Sequence, residues 1–70
     1  MTDTQPSPQK TWRYRFVRPG GDEVEVGEFD SDEAAIVRAR DVSRSAAGPV
    51  VVERYGMVDW HYVDEIDEHH

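Results

Sequence analysis

The chain has no cysteine, a single lysine, and no apolar run approaching the roughly 18 residues that span a bilayer. The first absence excludes a disulfide framework and thiolate metal sites, so stability must come from packing, and it suits a reducing compartment. The second leaves seven arginines and Lys10 against fifteen acidic residues, a formal charge of −7. That balance disfavours phosphate backbones as partners, because releasing their counterions requires a basic surface. The third, with an N-terminus that has neither a basic start nor an apolar stretch, points to a soluble, cytoplasmic, non-exported protein.

What is present is a set of strand and helix signals. Residues 1–10 carry Pro6 and Pro8 among Thr, Asp, Gln and Ser with no apolar periodicity, and read as a disordered tail. The folding unit is expected at 11–66, followed by an acidic, histidine-ended tail at 67–70. From Thr11 to Arg18, Trp12, Tyr14 and Phe16 alternate with Arg13, Arg15 and Val17, the period of a half-buried strand. Pro19-Gly20-Gly21-Asp22 supplies turn chemistry, and Val24 and Val26 then alternate with Glu23 and Glu25. Pairing Phe16 with Val24 and Tyr14 with Val26 would gather these apolar side chains on one face and set Arg15 opposite Glu25.

Asp30-Ser31-Asp32-Glu33 reads as a helix start, with Asp30 as N-cap, Glu33 completing a capping box, and Phe29 stapled to Ala34. Ala35, Ile36, Ala39, Val42 and Ala46 form a narrow stripe of mostly small residues that can sit close to sheet aromatics. Gly48-Pro49 supplies a left-handed cap and a stop. Val50 to Tyr55 and Trp60 to Asp64 read as two further strands, with Val52 opposite Tyr62, Arg54 opposite Trp60, Glu53 opposite His61 and Val51 opposite Val63. The fold class is therefore α+β: a ββαββ chain with a four-stranded antiparallel sheet and one helix on one face. A crossover that skips strand 1 gives the order 2-1-3-4, and the competing order sets strand 3 beside strand 2.

The stretch from Glu28 to Ala35, the valine strand and the closing Trp60-His61-Tyr62-Val63 resemble short uncharacterised ββαββ proteins of actinobacteria. The resemblance spans roughly Trp12 to Asp67 and rests on structural residues. It implies a fold, and no catalytic motif comes with it.

The residues that could carry chemistry each have a plainer reading. His61 beside Glu53 could move a proton, but no nucleophile is placed to complete a site and a sheet surface excludes no water. A cross-strand surface pair is the expected reading. Glu65, Asp67, Glu68, His69 and His70 could collect a cation, but a chain end enforces little geometry. Gly20-Gly21 precedes a strand rather than a helix and so lacks the context of a phosphate loop. Arg13 and Arg15 lie beside Trp12 and Tyr14, but alternation puts arginines and aromatics on opposite faces, which argues against a base-stacking platform.

A single helix cannot cover both faces of the sheet. Val17, Val51 and Val63 are expected on the uncovered side, as an apolar centre rimmed by Arg13, Arg15, Glu23, Glu25, Glu53 and His61, and three valines are equally ordinary strand filler. The function expected is that of a non-enzymatic interaction module, without catalytic, metal or cofactor residues. It would bind a protein partner or itself, as a homodimer, through the open sheet face, with no role for a membrane or for direct nucleic-acid contact. The alternative is an acidic inhibitor or nucleic-acid mimic that presents Asp59, Asp64, Glu65, Asp67 and Glu68 to a basic site.

Overall fold

The structure, a computed structural model, describes residues 10–68. The expected N-terminal tail lies, but for Lys10, outside the described residues, as do His69 and His70. The elements are β1 (Trp12–Val17), β2 (Glu23–Phe29), α1 (Asp32–Ala46), β3 (Val50–Gly56) and β4 (Asp59–Ile66). They form one antiparallel sheet in the order β2-β1-β3-β4 with α1 on one face, an α+β fold in ββαββ order. No helix among the described residues is long and apolar enough to cross a membrane.

The core lies between α1 and the two central strands. Tyr14 and Phe16 of β1 and Val50 and Val52 of β3 are buried against Ala35, Ala39 and Val42, with Trp12, Phe29, Val63 and Ile66 closing the edges. Small residues on the helix let its axis approach the sheet while the sheet supplies the bulk. Fully burying a side chain the size of Phe16 or Val52 contributes about 1.5–3 kcal/mol.

The β1–β2 register differs from the sequence expectation by one position. Phe16 pairs with Glu25 and Tyr14 with Gly27, so the helix side of β2 carries Glu25, Gly27 and Phe29. Val24 and Val26 are exposed, at 40% and 46%. Phe29 explains the choice. Its ring reaches back over Gly27, where an added Cβ would lie 3.2 Å from it, and meets Tyr14 edge-on at 5.7 Å and Phe16 at 6.0 Å. One phenylalanine buried on two core aromatics outweighs two valines on an edge strand that a single helix only partly covers. Arg38 of α1 also reaches Glu25 with two hydrogen bonds of 2.7 Å, so the glutamate is accommodated beneath the helix. That pairing holds the Glu25 carboxyl below the usual glutamate range.

The helix begins one residue later than the capping-box pattern suggests. Ser31 is the N-cap and its hydroxyl accepts from the Ala34 backbone N–H at 3.0 Å. Asp32 is therefore the first helical residue, and it accepts hydrogen bonds from the Tyr14 hydroxyl at 2.6 Å and from Arg54 at 3.2 Å. At the other end Ala47, not Gly48, takes the left-handed position (φ 57°), and the Gly48 N–H closes on the Ser43 carbonyl.

β4 also departs from the expected register. Tyr55 pairs with Trp60, Arg54 with His61, Glu53 with Tyr62, and Val52 with Asp64, which leaves Val63 as the extra residue of a bulge. The bulge lets Ile66 and Val63 pack on the core while Trp60 and Tyr62 occupy the opposite face. The loop is Met57–Val58, between the paired Gly56 and Asp59.

Candidate interaction surface

The ladder pairings place the side chains on the face away from α1 in rows. One row crosses all four strands as Val26, Arg15, Glu53 and Tyr62, and a second as Glu23, Val17, Val51 and Glu65. The remaining row has Glu28 paired with Arg13 on one side and Tyr55 paired with Trp60 on the other. Arg15 is the hinge of this surface. Its Nε donates to Glu53 at 2.6 Å, its guanidinium lies 4.4 Å from the centre of the Trp60 ring, and Glu23 stands 4.0 Å away. Trp60 in turn meets Tyr55 edge to face at 5.1 Å.

The centre of the open face is thus an ion pair braced by an aromatic ring, and the apolar area is displaced to the β3–β4 corner. Tyr55 is 41% exposed and Tyr62 66%, with Val26 exposed on the far strand. Of the residues expected to form the surface, Val17, Val51, Arg13, Arg15 and Glu53 are there, although Val17 is nearly covered at 9%. Val63 is not, because the β4 bulge turns it onto the core. His61 is not either: it pairs with Arg54 on the helix side, so the anticipated Glu53–His61 pair does not form and Glu53 serves Arg15 instead.

Tyr55, Trp60, Tyr62 and Val26 were missed as surface residues. For Trp60 and Tyr62 the signal that could have found them is the spacing of Val63 and Ile66. Two apolar residues an odd number apart cannot share a face of a regular strand, so a bulge is needed between Tyr62 and Ile66.

The other candidate residues disperse. The carboxylates named for an acidic surface do not share one plane. The Glu68 backbone N–H donates to Ser43 Oγ at 2.9 Å and its carboxylate lies 4.0 and 3.8 Å from Arg40 and Arg44, Asp64 is on the helix side opposite Val52, and Glu65 is on the open face. The arginines are similarly occupied: Arg38 by Glu25, Arg44 by Asp41, and Arg15 by Glu53. No group of three His, Asp or Glu side chains among the described residues could hold a metal ion. A cleft of about 220 Å³ lies between the β1–β2 loop and the helix end, lined by Arg18, Pro19, Ala46, Ala47, Gly48 and Pro49. It is smaller than the few hundred Å³ or more, roughly 300–1,000, typical of ligand sites.

Both outer strands are bulged, β2 at Val24 and β4 at Val63. Bulges twist an edge and break its row of free backbone groups, which disfavours the addition of another strand. The face is therefore better suited to contact than either edge. Comparison with protein-family models, with curated proteins and with solved structures finds no match to this chain.

Proposed function

We propose that the protein is a non-enzymatic interaction module that binds a protein partner through the open face of its sheet. The observation that carries this reading is the aromatic corner of the exposed Tyr55 and Tyr62 and the half-buried Trp60, braced by the Arg15–Trp60 stack on a surface the helix does not cover. Tyrosine, tryptophan and arginine are the residues that dominate binding energy in interfaces, and rigid side chains lose little entropy when they are buried by a partner. The mixed charges around them, Arg13, Arg15, Glu28 and Glu53, supply a polar rim that can fix orientation.

Tyr62→Glu tests the reading. Tyr62 is among the most exposed aromatics and contributes nothing to the core, so the variant should fold, its thermal transition lowered only slightly by the new carboxylate opposite Glu53. A tagged full-length copy should then retain at least about tenfold less of the protein held by the wild type, as expected when a charge enters an apolar contact. Equal retention by the two would refute the sheet-face site.

A further inference from the structure

We propose that the tip of the β3–β4 hairpin, Met57–Val58, is an anchor that inserts into an apolar pocket of the protein partner, a pocket with a basic rim. The inference rests on the sheet-face reading, since the tip continues the Tyr55–Trp60 corner, but it assigns a different set of residues and fails separately.

Three observations carry it. Met57 holds a left-handed backbone conformation (φ 56°) that glycine or asparagine adopts with far less strain. Met57 and Val58 are 96% and 86% exposed, so neither gains anything from the fold in return. The loop is a two-residue hairpin connection with positive φ at its first residue, for which a leading glycine is the choice that folding alone favours. Strain and apolar exposure at the same two positions have no structural use within this chain, and strain that the fold does not need is a pointer to function. An unbranched thioether side chain on a projecting turn is also well suited to filling an irregular apolar pocket.

Electrostatics select a protein over a lipid surface. Asp59 follows the tip, Glu28 and the helix-start residues Asp32 and Glu33 lie toward the same end of the sheet against Lys10, Arg13 and Arg54, of which Arg54 is paired with Asp32, and the whole chain carries −7. Such a surface is repelled by anionic headgroups and complements a pocket bordered by lysine or arginine.

The test replaces the tip with the turn that the hairpin geometry prefers, glycine at the one left-handed position, in the double variant M57G/V58N. Its thermal transition should equal or exceed that of the wild type, while retention of the wild type's partner from the source cells falls at least tenfold. A benzophenone side chain placed at position 57 of the full chain should cross-link to a partner peptide that is apolar and flanked by lysine or arginine. Wild-type retention by M57G/V58N, with retention lost in Tyr62→Glu, would overturn the anchor and leave the sheet face standing. Binding of the wild type to phosphatidylcholine or phosphatidylserine vesicles that the double variant loses would overturn it in favour of a lipid surface. If the wild type retains no protein at all, both readings fall.

Discussion

Tyr14 and Asp32 join the sheet to the helix start: the buried Tyr14 hydroxyl donates to Asp32 Oδ1 across 2.6 Å, and Arg54 shares the same oxygen at 3.2 Å. The contact links β1, β3 and the first turn of α1 through one carboxylate. Arg54 also lies 5.8 Å from the Trp12 ring, so the cation is held from two sides. Asp32 is favoured there twice, as a partner for Tyr14 and Arg54 and as a negative charge at a helix N-terminus.

The first prediction concerns alkaline stability. Burial, then the hydrogen bond to Asp32, pushes the Tyr14 hydroxyl up to about 12 from its ordinary 10.0. A raised value in the folded state means that the protonated form is preferentially held. Its contribution is fully present below pH 10 and is lost as pH rises towards 12. Tyr14→Phe should lose about 1 kcal/mol at neutral pH, the net worth of one hydrogen bond, and its urea midpoint should fall less steeply than the wild type's above pH 10. Parallel pH profiles for the two proteins would show that Tyr14 is not the group responsible.

A second prediction follows from the helix end. Ala47 sits at φ 57°, where a Cβ is costly and glycine is not. Ala47→Gly should therefore stabilise the protein by about 1 kcal/mol, the lower end of the left-handed penalty for a non-glycine residue. The thermal midpoint should rise by several degrees, since a transition of this size shifts about 4–8 °C per kcal/mol. A fall would mean that added chain entropy outweighs the relieved strain.

The strand and helix count and the core positions Tyr14, Phe16, Ala39, Val42 and Val52 were legible in the sequence, because period 2 and period 3.6 are carried by unambiguous runs, while the order β2-β1-β3-β4 was one of two that the sequence left open. Facing was not legible on the outer strands. On β2, Val24 and Val26 have the stronger strand propensity, yet Phe29, read as part of the helix start, set the parity by packing over Gly27. On β4, a regular strand puts Tyr62 opposite Val52 and so on the core side, and the bulge at Val63 cancels that alternation. The same two causes relocated the candidate site: Val63 and His61 left the open face, and Tyr55, Trp60 and Tyr62 occupy it.

The corrected facing can be checked by paired substitutions on β2. Val26→Ser removes an exposed methyl surface and should change stability by less than about 0.5 kcal/mol. Phe29→Ala opens the gap above Gly27 and beside Tyr14 and Phe16, and should cost about 2–3 kcal/mol, somewhat less than the loss of a fully buried phenylalanine. Phe16→Ala, at the centre of the core, should cost about 3–5 kcal/mol and threaten folding altogether. Denaturant midpoints in the reverse order for Val26 and Phe29 would restore the alternative register.

The last prediction separates the buried Ser43 from the chain end that it holds. Ser43 is fully buried in α1, donates from Oγ to the Gly48 carbonyl at 2.7 Å, and accepts from the Glu68 backbone N–H at 2.9 Å. One hydroxyl thus satisfies the loop that ends the helix and ties down the residue two positions beyond β4. Ser43→Ala strips a partner from both groups and should cost about 1–3 kcal/mol, the penalty for polar atoms left unpaired. Removal of residues 67–70 takes away the Glu68 N–H from Ser43 Oγ, two long, solvent-screened contacts to Arg40 and Arg44, and the contacts of Asp67, and should cost about 1 kcal/mol. Because the two changes share the Ser43–Glu68 bond, the truncated Ser43→Ala protein should be more stable than the sum of the two losses implies. Strict additivity in urea unfolding would show that Glu68 does not close on Ser43 in solution.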